Sequence, residues 1–324
     1  MLEERLRAWA AGRGYGLAIA DIGVIATVRT KLEARRDSGL IDPAFFAERL
    51  SKFRFLEGVE MAGPKRVVMV AVPSPASVVL VRTGGRTIEA LIPPTYVHYL
   101  GTFQKVLDDM MANALGAAVA ETLKAPLKSL AAHMGLVRYG RNNITYAPGL
   151  GSGLQLCGYV VASEEWPAEA APPREGREDV LDRCSSCTAC VKICPTGAIR
   201  EDRFLLHAER CFVLPSESAR PLPAWARRPT RSICLIGCMD CQLVCPENKG
   251  RLKTVPCGIE LTHEETEALL EAGRRLGAEG SGRDRSRETA EGPALASARA
   301  KIEGLGMTED FAVMGRNLGY FLSR

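Results

Sequence analysis

Residues 184–195 read Cys184-Ser-Ser-Cys187-Thr-Ala-Cys190-Val-Lys-Ile-Cys194-Pro195. This is the Cys-x2-Cys-x2-Cys-x3-Cys-Pro spacing of bacterial 4Fe-4S segments, in which three thiolates bind one cluster and the fourth, before the proline, binds a second cluster. A tight loop can present three sulfur atoms to three corners of one cubane, while Pro195 fixes its own φ angle and removes a backbone donor. The stretch therefore predicts a two-cluster module of the bacterial ferredoxin type.

A second segment repeats the end of this pattern as Cys238-Met-Asp-Cys241-Gln-Leu-Val-Cys245-Pro246. No cysteine lies three residues before Cys238, so the two segments together supply seven thiolates. Two clusters need eight thiolates. The missing ligand is either Cys211 or Cys234, and the spacing leaves both open. We favour Cys211, because a helical turn through residues 233–237 would point Cys234 away from a cluster.

The expected ligands form two crossed sets. The first cluster is assigned to Cys184, Cys187, Cys190 and Cys245. The second is assigned to Cys194, Cys211, Cys238 and Cys241. Three cysteines remain outside both sets, and we expect them to be small buried hydrophobic side chains: Cys157, Cys234 and Cys257. Zinc sites also use Cys-x2-Cys pairs, but they do not need this longer spacing twice, so we favour iron-sulfur clusters.

Composition limits the class of protein. With 324 residues, the chain is about twice the usual single-domain size, so we expect two compact units. It is 46% hydrophobic and 25% charged, which is ordinary for a globular protein, and its net charge of +4 does not by itself indicate a nucleic-acid or membrane partner. No apolar run approaches the roughly 18 residues that a membrane span requires. Clustered cysteines are metal ligands in a reducing compartment, and the first residues lack a signal-peptide pattern, so we expect a cytoplasmic location.

The fold class that the sequence predicts is α+β. Ten of the 11 cysteines lie from Cys184 to Cys257, so the cluster chemistry occupies one module. The predicted division is an α/β domain at residues 1–165, a linker at 166–179, a double-cluster ferredoxin-like module at 180–258, and a helical tail at 259–324 with a flexible stretch at 277–293.

Hydrophobic periodicity predicts the main elements of the first domain. Short β-branched runs predict strands at residues 67–72, 77–81, 87–92 and 154–162. Residues 17–28 are ambiguous, because a short apolar run cannot be assigned by period alone. From Thr102, apolar residues repeat every three or four positions, which predicts a long amphipathic helix that stops or bends near Pro126.

The cluster segments resemble those of epoxyqueuosine reductases, which are cobalamin-dependent enzymes with two 4Fe-4S clusters. The resemblance lies in residues 184–199 and 241–249. In that family a cysteine follows a basic residue between the two segments, and Glu209-Arg210-Cys211 is similar, which favours Cys211 as the eighth ligand. Residues 135–143 are similar to the Gly-x-x-Gly-Lys-Asn stretch of the family, and Arg316-Asn317-Leu318 is similar to its Arg-Asn pair.

What the resemblance implies is an enzyme that passes electrons through two 4Fe-4S clusters to a cobalamin bound by the amino-terminal domain, which reduces an organic substrate. It also implies cofactor-binding roles for Gly140, Arg141 and Asn142, and an external electron donor of the ferredoxin or flavodoxin type. Two alternatives are a ferredoxin-like electron carrier without its own substrate and a reductase of a partner corrinoid protein. The α/β half is more structure than a carrier needs.

The segment expected to carry the proton donor departs from the family. There an aspartate precedes a Tyr-His pair ahead of the long helix and donates a proton. Here residues 94–101 read Pro-Thr-Tyr-Val-His-Tyr-Leu-Gly and contain no acid. The candidate catalytic residues are therefore His98, Tyr96 and Tyr99, since both residue types can deliver a proton to a reduced substrate.

A second departure concerns the substrate. Family members that bind tRNA often carry helical repeats after the cluster module, and we find no repeat after residue 259. The best basic patch, residues 220–231, contains Trp225 among arginines and could grip nucleic acid, but we interpret it as a solvated loop covering a cluster. We therefore favour a small molecule or a partner corrinoid protein as the substrate over tRNA.

Overall fold

The strands form where the sequence concentrates β-branched and apolar residues. The structure is a computed structural model that describes residues 1–167, 180–227, 230–278, 292–307 and 310–323. Its strands are β1 (Gly16–Asp21), β2 (Lys65–Pro73), β3 (Ala76–Thr83), β4 (Arg86–Ile92), β5 (Val119–Thr122), β6 (Arg138–Tyr139), β7 (Thr145–Tyr146), β8 (Leu154–Ala162) and β9 (Thr254–Leu261). The predicted strands at 67–72, 77–81, 87–92 and 154–162 are thereby confirmed.

The described chain also contains α-helices. They are α1 (Leu2–Gly12), α2 (Val24–Asp37), α3 (Pro43–Phe45), α4 (Tyr99–Met110), α5 (Leu127–His133), α6 (Ala189–Ile193), α7 (Val213–Ser216), α8 (Asp240–Leu243), α9 (His263–Ala278), α10 (Pro293–Glu303) and α11 (Phe311–Leu322). None of the described helices has the length and apolar character needed to cross a membrane.

An antiparallel sheet organises the first compact unit, which comprises residues 1–74, 100–188 and 201–208. Its strand order is β1-β2-β8-β5, and every neighbouring pair is antiparallel. Successive side chains of β2 alternate between two cores: Val68 and Val70 pack with α1 and α4, whereas Val67 and Met69 pack with α2 and α5. Because helices cover both faces, all nine residues of β8 are buried.

A smaller sheet with three carboxy-terminal helices forms the second unit, which comprises residues 75–99, 189–200 and 209–324. Strand β3 pairs antiparallel with β4 on one side and parallel with β9 on the other. Apolar residues of α9, α10 and α11, such as Leu269, Ile302 and Met314, pack with Val79 and Val81 of β3 in one buried cluster.

The two units do not follow the predicted boundaries. The predicted domain 1–165 gives up residues 75–99, of which strand β3 pairs with β9. The expected module 180–258 is likewise divided, because residues 180–188 and 201–208 cluster with the first unit. The first sheet is antiparallel, so the α/β layering expected of residues 1–165 is corrected to helices packed on an antiparallel sheet. Residues 168–179 and 279–291, in the predicted linker and flexible stretch, lie outside the described residues.

The structure also settles one ambiguous segment and differs from one predicted helix boundary. The ambiguous residues 17–28 divide into strand β1 and the start of α2. The helix predicted to reach Pro126 ends earlier: α4 continues through a π-helical turn (Met111–Leu115) and stops at Gly116. Gly116 has φ +63 and ψ −120, a conformation that glycine adopts far more readily than other residues, and β5 follows.

Helices α9 and α11 approach closely at two glycines. A Cβ at Gly315 would overlap the carbonyl oxygen of Leu269, and a Cβ at Gly273 would overlap the backbone of Arg316. By contrast, a Cβ at Gly319, also on α11, would meet Leu270 Cδ2 at 3.5 Å, an ordinary contact. The pair therefore depends on small residues at two specific positions.

We expect Gly315→Ala to lower the free energy of unfolding by about 1–3 kcal/mol, because the added methyl group forces the two helices apart. Gly319→Ala is the matched control: it adds the same methyl group to the same helix and should be neutral or stabilising by up to about 1 kcal/mol. Denaturant unfolding followed by circular dichroism measures both. Equal effects of the two substitutions would contradict the close approach at Gly315.

Candidate iron-sulfur centre

Two one-turn helices present cysteines in the same way. Cys190 lies on α6 and Cys194 follows it, while Cys241 lies on α8 and Cys245 follows it. The backbone N–H of Cys194 donates to the Cys190 carbonyl at 3.2 Å, and that of Cys245 donates to the Gln242 carbonyl at 3.2 Å. Helices α6 and α8 pack against each other within the second unit, and each carries the first cysteine of a Cys-x3-Cys-Pro segment at its second residue.

Among the residues that the structure describes, no three His, Cys, Asp or Glu side chains converge to hold a single metal ion.

Asp240 fixes the start of α8. Its side chain is 3% exposed, and its Oδ1 accepts hydrogen bonds from the Ser232 N–H at 2.8 Å and the Ser232 hydroxyl at 2.6 Å. Its Oδ2 accepts a third bond from the Arg231 N–H at 2.9 Å. A buried carboxylate requires such partners, so Asp240 ties the segment before Cys234 to the helix that carries Cys241.

The surroundings of Cys234 are those of a structural cysteine. The residue is 1% exposed, packs with Ala76 and Met239, and directs its thiol to Ser232 Oγ at 3.7 Å. Burial raises the pKa of Cys234 to about 12. Cys211 is only partly buried and follows a 3-10 turn, and its assignment as the eighth ligand stays a prediction.

The other spare cysteines are also engaged in packing. Cys157 lies in the middle of β8, and burial raises its pKa to about 12. The thiol of Cys257 donates to the Val78 carbonyl at 3.1 Å. Among the assigned ligands, burial likewise raises the pKa of Cys238 well above its ordinary value.

Residues 140–142 contact the first cysteine segment. The backbone N–H of Arg141 donates to Cys184 Sγ at 3.4 Å, and its guanidinium donates to the Cys184 carbonyl and, at 3.0 Å, to the Glu201 carbonyl. Asn142 is buried and donates to Tyr146 Oη at 2.9 Å. A Cβ at Gly140 would lie 2.7 Å from Tyr146 Cε2, so only glycine fits there. These are contacts of a turn packed on a cysteine segment, and the cobalamin-binding roles of the three residues stay predictions.

Arg316 and Asn317, the pair singled out in the sequence, hold the chain between Cys211 and Cys238. Arg316 donates to the carbonyls of Pro215 at 2.9 Å, Ser218 at 2.6 Å and Arg220. The Asn317 Nδ2 donates to the carbonyls of Ser216 at 2.9 Å and Leu235 at 3.0 Å. Burial lowers the pKa of Arg316 to about 10, so it remains a cation at neutral pH.

The candidate proton donors differ in their surroundings. The Tyr96 hydroxyl donates to Glu217 Oε1 at 2.6 Å, and its ring packs against Gly237. His98 is exposed, has φ +50, and donates its backbone N–H to the Leu305 carbonyl at 2.8 Å. Tyr99 is half-buried at the start of α4.

Glu217 is a candidate functional residue that the sequence reasoning missed. It supplies an acid beside residues 94–101, where the sequence has none. It lies 121 residues from Tyr96, so no local spacing could have indicated the pair.

The basic patch is largely occupied by its own contacts. The guanidinium of Arg210 lies over the Trp225 ring at 5.8 Å, and Arg227 donates to the Leu222 carbonyl at 3.0 Å. Residues 228 and 229 lie outside the described residues. Because the Trp225 ring already packs against Arg210, we interpret this segment as a surface loop and not as a stacking platform for nucleic-acid bases.

Comparisons with known proteins agree with this geometry. A family profile described as a 4Fe-4S double cluster binding domain matches residues 183–248. Epoxyqueuosine reductase from Alicycliphilus denitrificans is 45% identical over 73 residues, which are 22% of this chain and 20% of the relative's length. The enzyme of the same name from Bacillus anthracis is 32% identical over 111 residues, or 34% of this chain and 26% of the relative. This chain resembles epoxyqueuosine reductases. The matched parts span less than a third of these two relatives.

The fold likeness extends over the whole chain. Epoxyqueuosine reductase from Bacillus subtilis, solved with its aspartate-bearing catalytic loop swung out of the active site, matches 100% of this chain and 82% of its own with a TM-score of 0.60 at 18% identity. An epoxyqueuosine reductase solved with an epoxyqueuosine-modified tRNA stem loop matches 99% of this chain and 81% of its own with a TM-score of 0.58 at 17% identity. The chain thus shares the fold of epoxyqueuosine reductases and contains a segment similar to 4Fe-4S double cluster binding domains.

Serine substitutions can decide the eighth ligand. We expect Cys211→Ser to remove one cluster, which leaves about four irons per reconstituted chain where two clusters give about eight. Cys234→Ser, the matched control, should retain both clusters, because it changes only a buried thiol. Iron and acid-labile sulfide assays with electron paramagnetic resonance measure this. Loss of a cluster in Cys234→Ser with full iron in Cys211→Ser would reverse the assignment.

Proposed function

We propose that this chain is a reductase that binds two 4Fe-4S clusters and a cobalamin and uses them to reduce an organic substrate. The observation that carries the proposal is the repeated Cys-x3-Cys-Pro helix pair within a fold shared with epoxyqueuosine reductases. The coarser description, an iron-sulfur protein similar to that enzyme family, already follows from the comparisons. The cofactors and the chemistry are what the proposal adds.

The thiol donors fit two clusters. We propose Cys184, Cys187, Cys190 and Cys245 for one, and Cys194, Cys211, Cys238 and Cys241 for the other. Bound clusters of this kind supply one-electron transfer at potentials set by net charge, hydrogen bonds to sulfur and solvent exposure. The Arg141 N–H that donates to Cys184 Sγ at 3.4 Å is such a hydrogen bond.

The cobalamin part of the proposal rests on the family resemblance. The residues that the resemblance assigns to it, Gly140, Arg141 and Asn142, make their described contacts with Cys184, Glu201 and Tyr146. Their roles toward a corrinoid stay predictions, and we derive no chemical step through the corrinoid.

Reduction of an organic substrate also requires protons, and the chain offers a pair of groups that can deliver them. The Tyr96 hydroxyl can donate its proton to the substrate, and Glu217, 2.6 Å away, can take a proton from solvent and pass it to the resulting tyrosinate. Among the three candidates from the sequence we therefore favour Tyr96 over His98 and Tyr99. The pair replaces the aspartate that residues 94–101 lack.

Two substrate classes follow from different observations. The absence of an acid at residues 94–101 and the packed Trp225 favour a small organic molecule or a partner corrinoid protein. A tRNA substrate is the second candidate, supported by the similar fold of a reductase solved with a modified tRNA stem loop.

Anaerobic reconstitution of the full chain tests the proposal. We expect about eight irons per chain and an absorbance that bleaches when dithionite is added. A corrinoid should be retained on gel filtration and identified by mass spectrometry. Stoichiometric zinc, about four irons per chain, or complete failure to retain a corrinoid would contradict the corresponding part of the proposal. Restoration of queuosine in a deficient strain would select the tRNA substrate.

Tyr96→Phe should slow turnover of the identified substrate by about 10²–10⁴-fold, the usual contribution of general acid catalysis, while leaving the iron content unchanged. Tyr99→Phe is the control and should retain activity. The pH dependence of turnover distinguishes the loss of a proton donor from a packing defect. Because Tyr96 and Glu217 act as a pair, Glu217→Gln should change the same limb of the pH–rate profile as Tyr96→Phe. Wild-type turnover in Tyr96→Phe together with inactive His98→Ala would transfer the role to His98.

A further inference from the structure

The two proposed clusters differ in the charged groups that adjoin their ligands. A nearby cation stabilises the more negative, reduced form of a cluster and raises its reduction potential, whereas a nearby anion lowers it. Such a charge acts strongly only where it is held out of bulk solvent, because water and salt screen exposed charges. The charges held in the structure beside the cysteines are therefore the ones that can distinguish the two clusters.

A buried anion lies within the second set of ligands. Asp240 stands between Cys238 and Cys241 in the sequence and is 3% exposed. Its carboxylate accepts hydrogen bonds from two backbone N–H groups and from the Ser232 hydroxyl, all of them uncharged donors, so these bonds leave its negative charge in place. The pKa of the Cys238 thiol is raised well above its ordinary value, first by burial and then by the charge of Asp240. The carboxylate thus acts on the sulfur of a proposed ligand.

A half-buried cation lies against the first set of ligands. The Arg141 guanidinium donates to the carbonyl oxygens of Cys184 and Glu201, and its Nε atom is buried. The two carbonyl groups hold the guanidinium beside Cys184, and because they are uncharged they do not cancel its positive charge. The first set of ligands therefore has a fixed cation where the second has a fixed anion.

Hydrogen bonds to sulfur do not by themselves separate the clusters. The Arg141 N–H donates to Cys184 Sγ at 3.4 Å in the first set, and the Thr196 hydroxyl lies 3.7 Å from Cys194 Sγ in the second. A donor to a ligand sulfur stabilises the reduced form of the cluster concerned. Since each set has such a contact, the difference in charge decides the order of the potentials.

We propose that Asp240 and Arg141 place the two clusters in a fixed order of reduction potential, with the first cluster above the second. The inference rests on the proposed function, because only bound clusters have potentials. An electron on the second cluster then moves to the first: the second is oxidised from its 1+ to its 2+ state, the first is reduced from 2+ to 1+, and no bond or proton changes. Both side chains act on the reaction only through the clusters.

A redox titration of the reconstituted full chain, monitored by electron paramagnetic resonance, measures both potentials. We expect two one-electron steps that differ about tenfold or more in the equilibrium ratio of reduced to oxidised cluster, which is about 59 mV. This measurement needs no substitution, so it decides the question even where a variant loses a cluster. One potential shared by both clusters would overturn the inference.

The cation is tested by Arg141→Gln, which removes the charge and keeps the backbone N–H. It should lower the equilibrium ratio of the upper step about tenfold and leave the lower step in place, whereas Arg141→Lys should retain most of the upper potential. Arg183→Gln is the matched control: Arg183 directly precedes Cys184 but is exposed, so the same loss of charge should shift the step much less. Equal shifts in Arg141→Gln and Arg183→Gln would contradict the role of Arg141.

The anion is tested by Asp240→Asn. This substitution should raise the equilibrium ratio of the lower step about tenfold and leave the upper step in place. Ser232→Ala is the control for packing: it removes one hydrogen bond to Asp240 without removing the charge, so it should not raise the lower step. A lower step that Asp240→Asn leaves in place, with iron content unchanged, would refute the role of Asp240.

Iron content and dithionite separate this inference from the proposed function. A chain without clusters, or with clusters that dithionite cannot reduce, would defeat the proposed function and this inference with it. Two reducible clusters with coincident potentials, or with steps that move in the opposite sense in the variants, would overturn the order of potentials alone.

Discussion

Parallel pairing of β3 with β9 is the interaction on which the second unit depends. It joins residues 76–83 to residues 254–261, so the chain between them must return to its starting point. The same unit gains a further connection where the Leu91 N–H donates to the Ile233 carbonyl at 2.7 Å and the Leu235 N–H donates to the Leu91 carbonyl at 3.0 Å. Long-range backbone pairing thus fixes the segment just before Cys238, which short helices alone could not do.

Polar side chains fix the conformation of the loop segments around the cysteines. Asp240 receives three hydrogen bonds from residues 231 and 232, and Arg316 and Asn317 donate to carbonyls at residues 215–220 and 235. Removing a buried partner of this kind typically costs about 1–3 kcal/mol, because the group left behind is neither solvated nor bonded. The loops around the cysteines are therefore held by specific side chains, and the Arg-Asn pair noted in the sequence has a structural reason.

Local features of this fold could be predicted from sequence, and distant pairings could not. Strand β8 spans the predicted residues 154–162, which are rich in residue types favoured in strands, such as Tyr159, Val160 and Val161. The sequence gives no periodic signal that residues 75–99 belong to the second unit, because this depends on the pairing of β3 with a strand that begins at Thr254. The cysteine spacing identified the chemistry of the site, whereas the contact between Tyr96 and Glu217 required the structure.

The Tyr96–Glu217 pair and the cysteine segment are mechanically linked. Tyr96 packs against Gly237, which directly precedes Cys238, and the N–H of Gly237 donates to Ser216 Oγ at 3.1 Å. Ser216 in turn adjoins Glu217, and its carbonyl accepts from Asn317. One short network therefore positions both a proposed cluster ligand and the proposed proton donor. Because Gly237 has φ +69 and its Cβ position is filled by the Tyr96 ring, any side chain there would disturb both at once. Under the proposed function, the proton donor and a cluster ligand are held on the same framework.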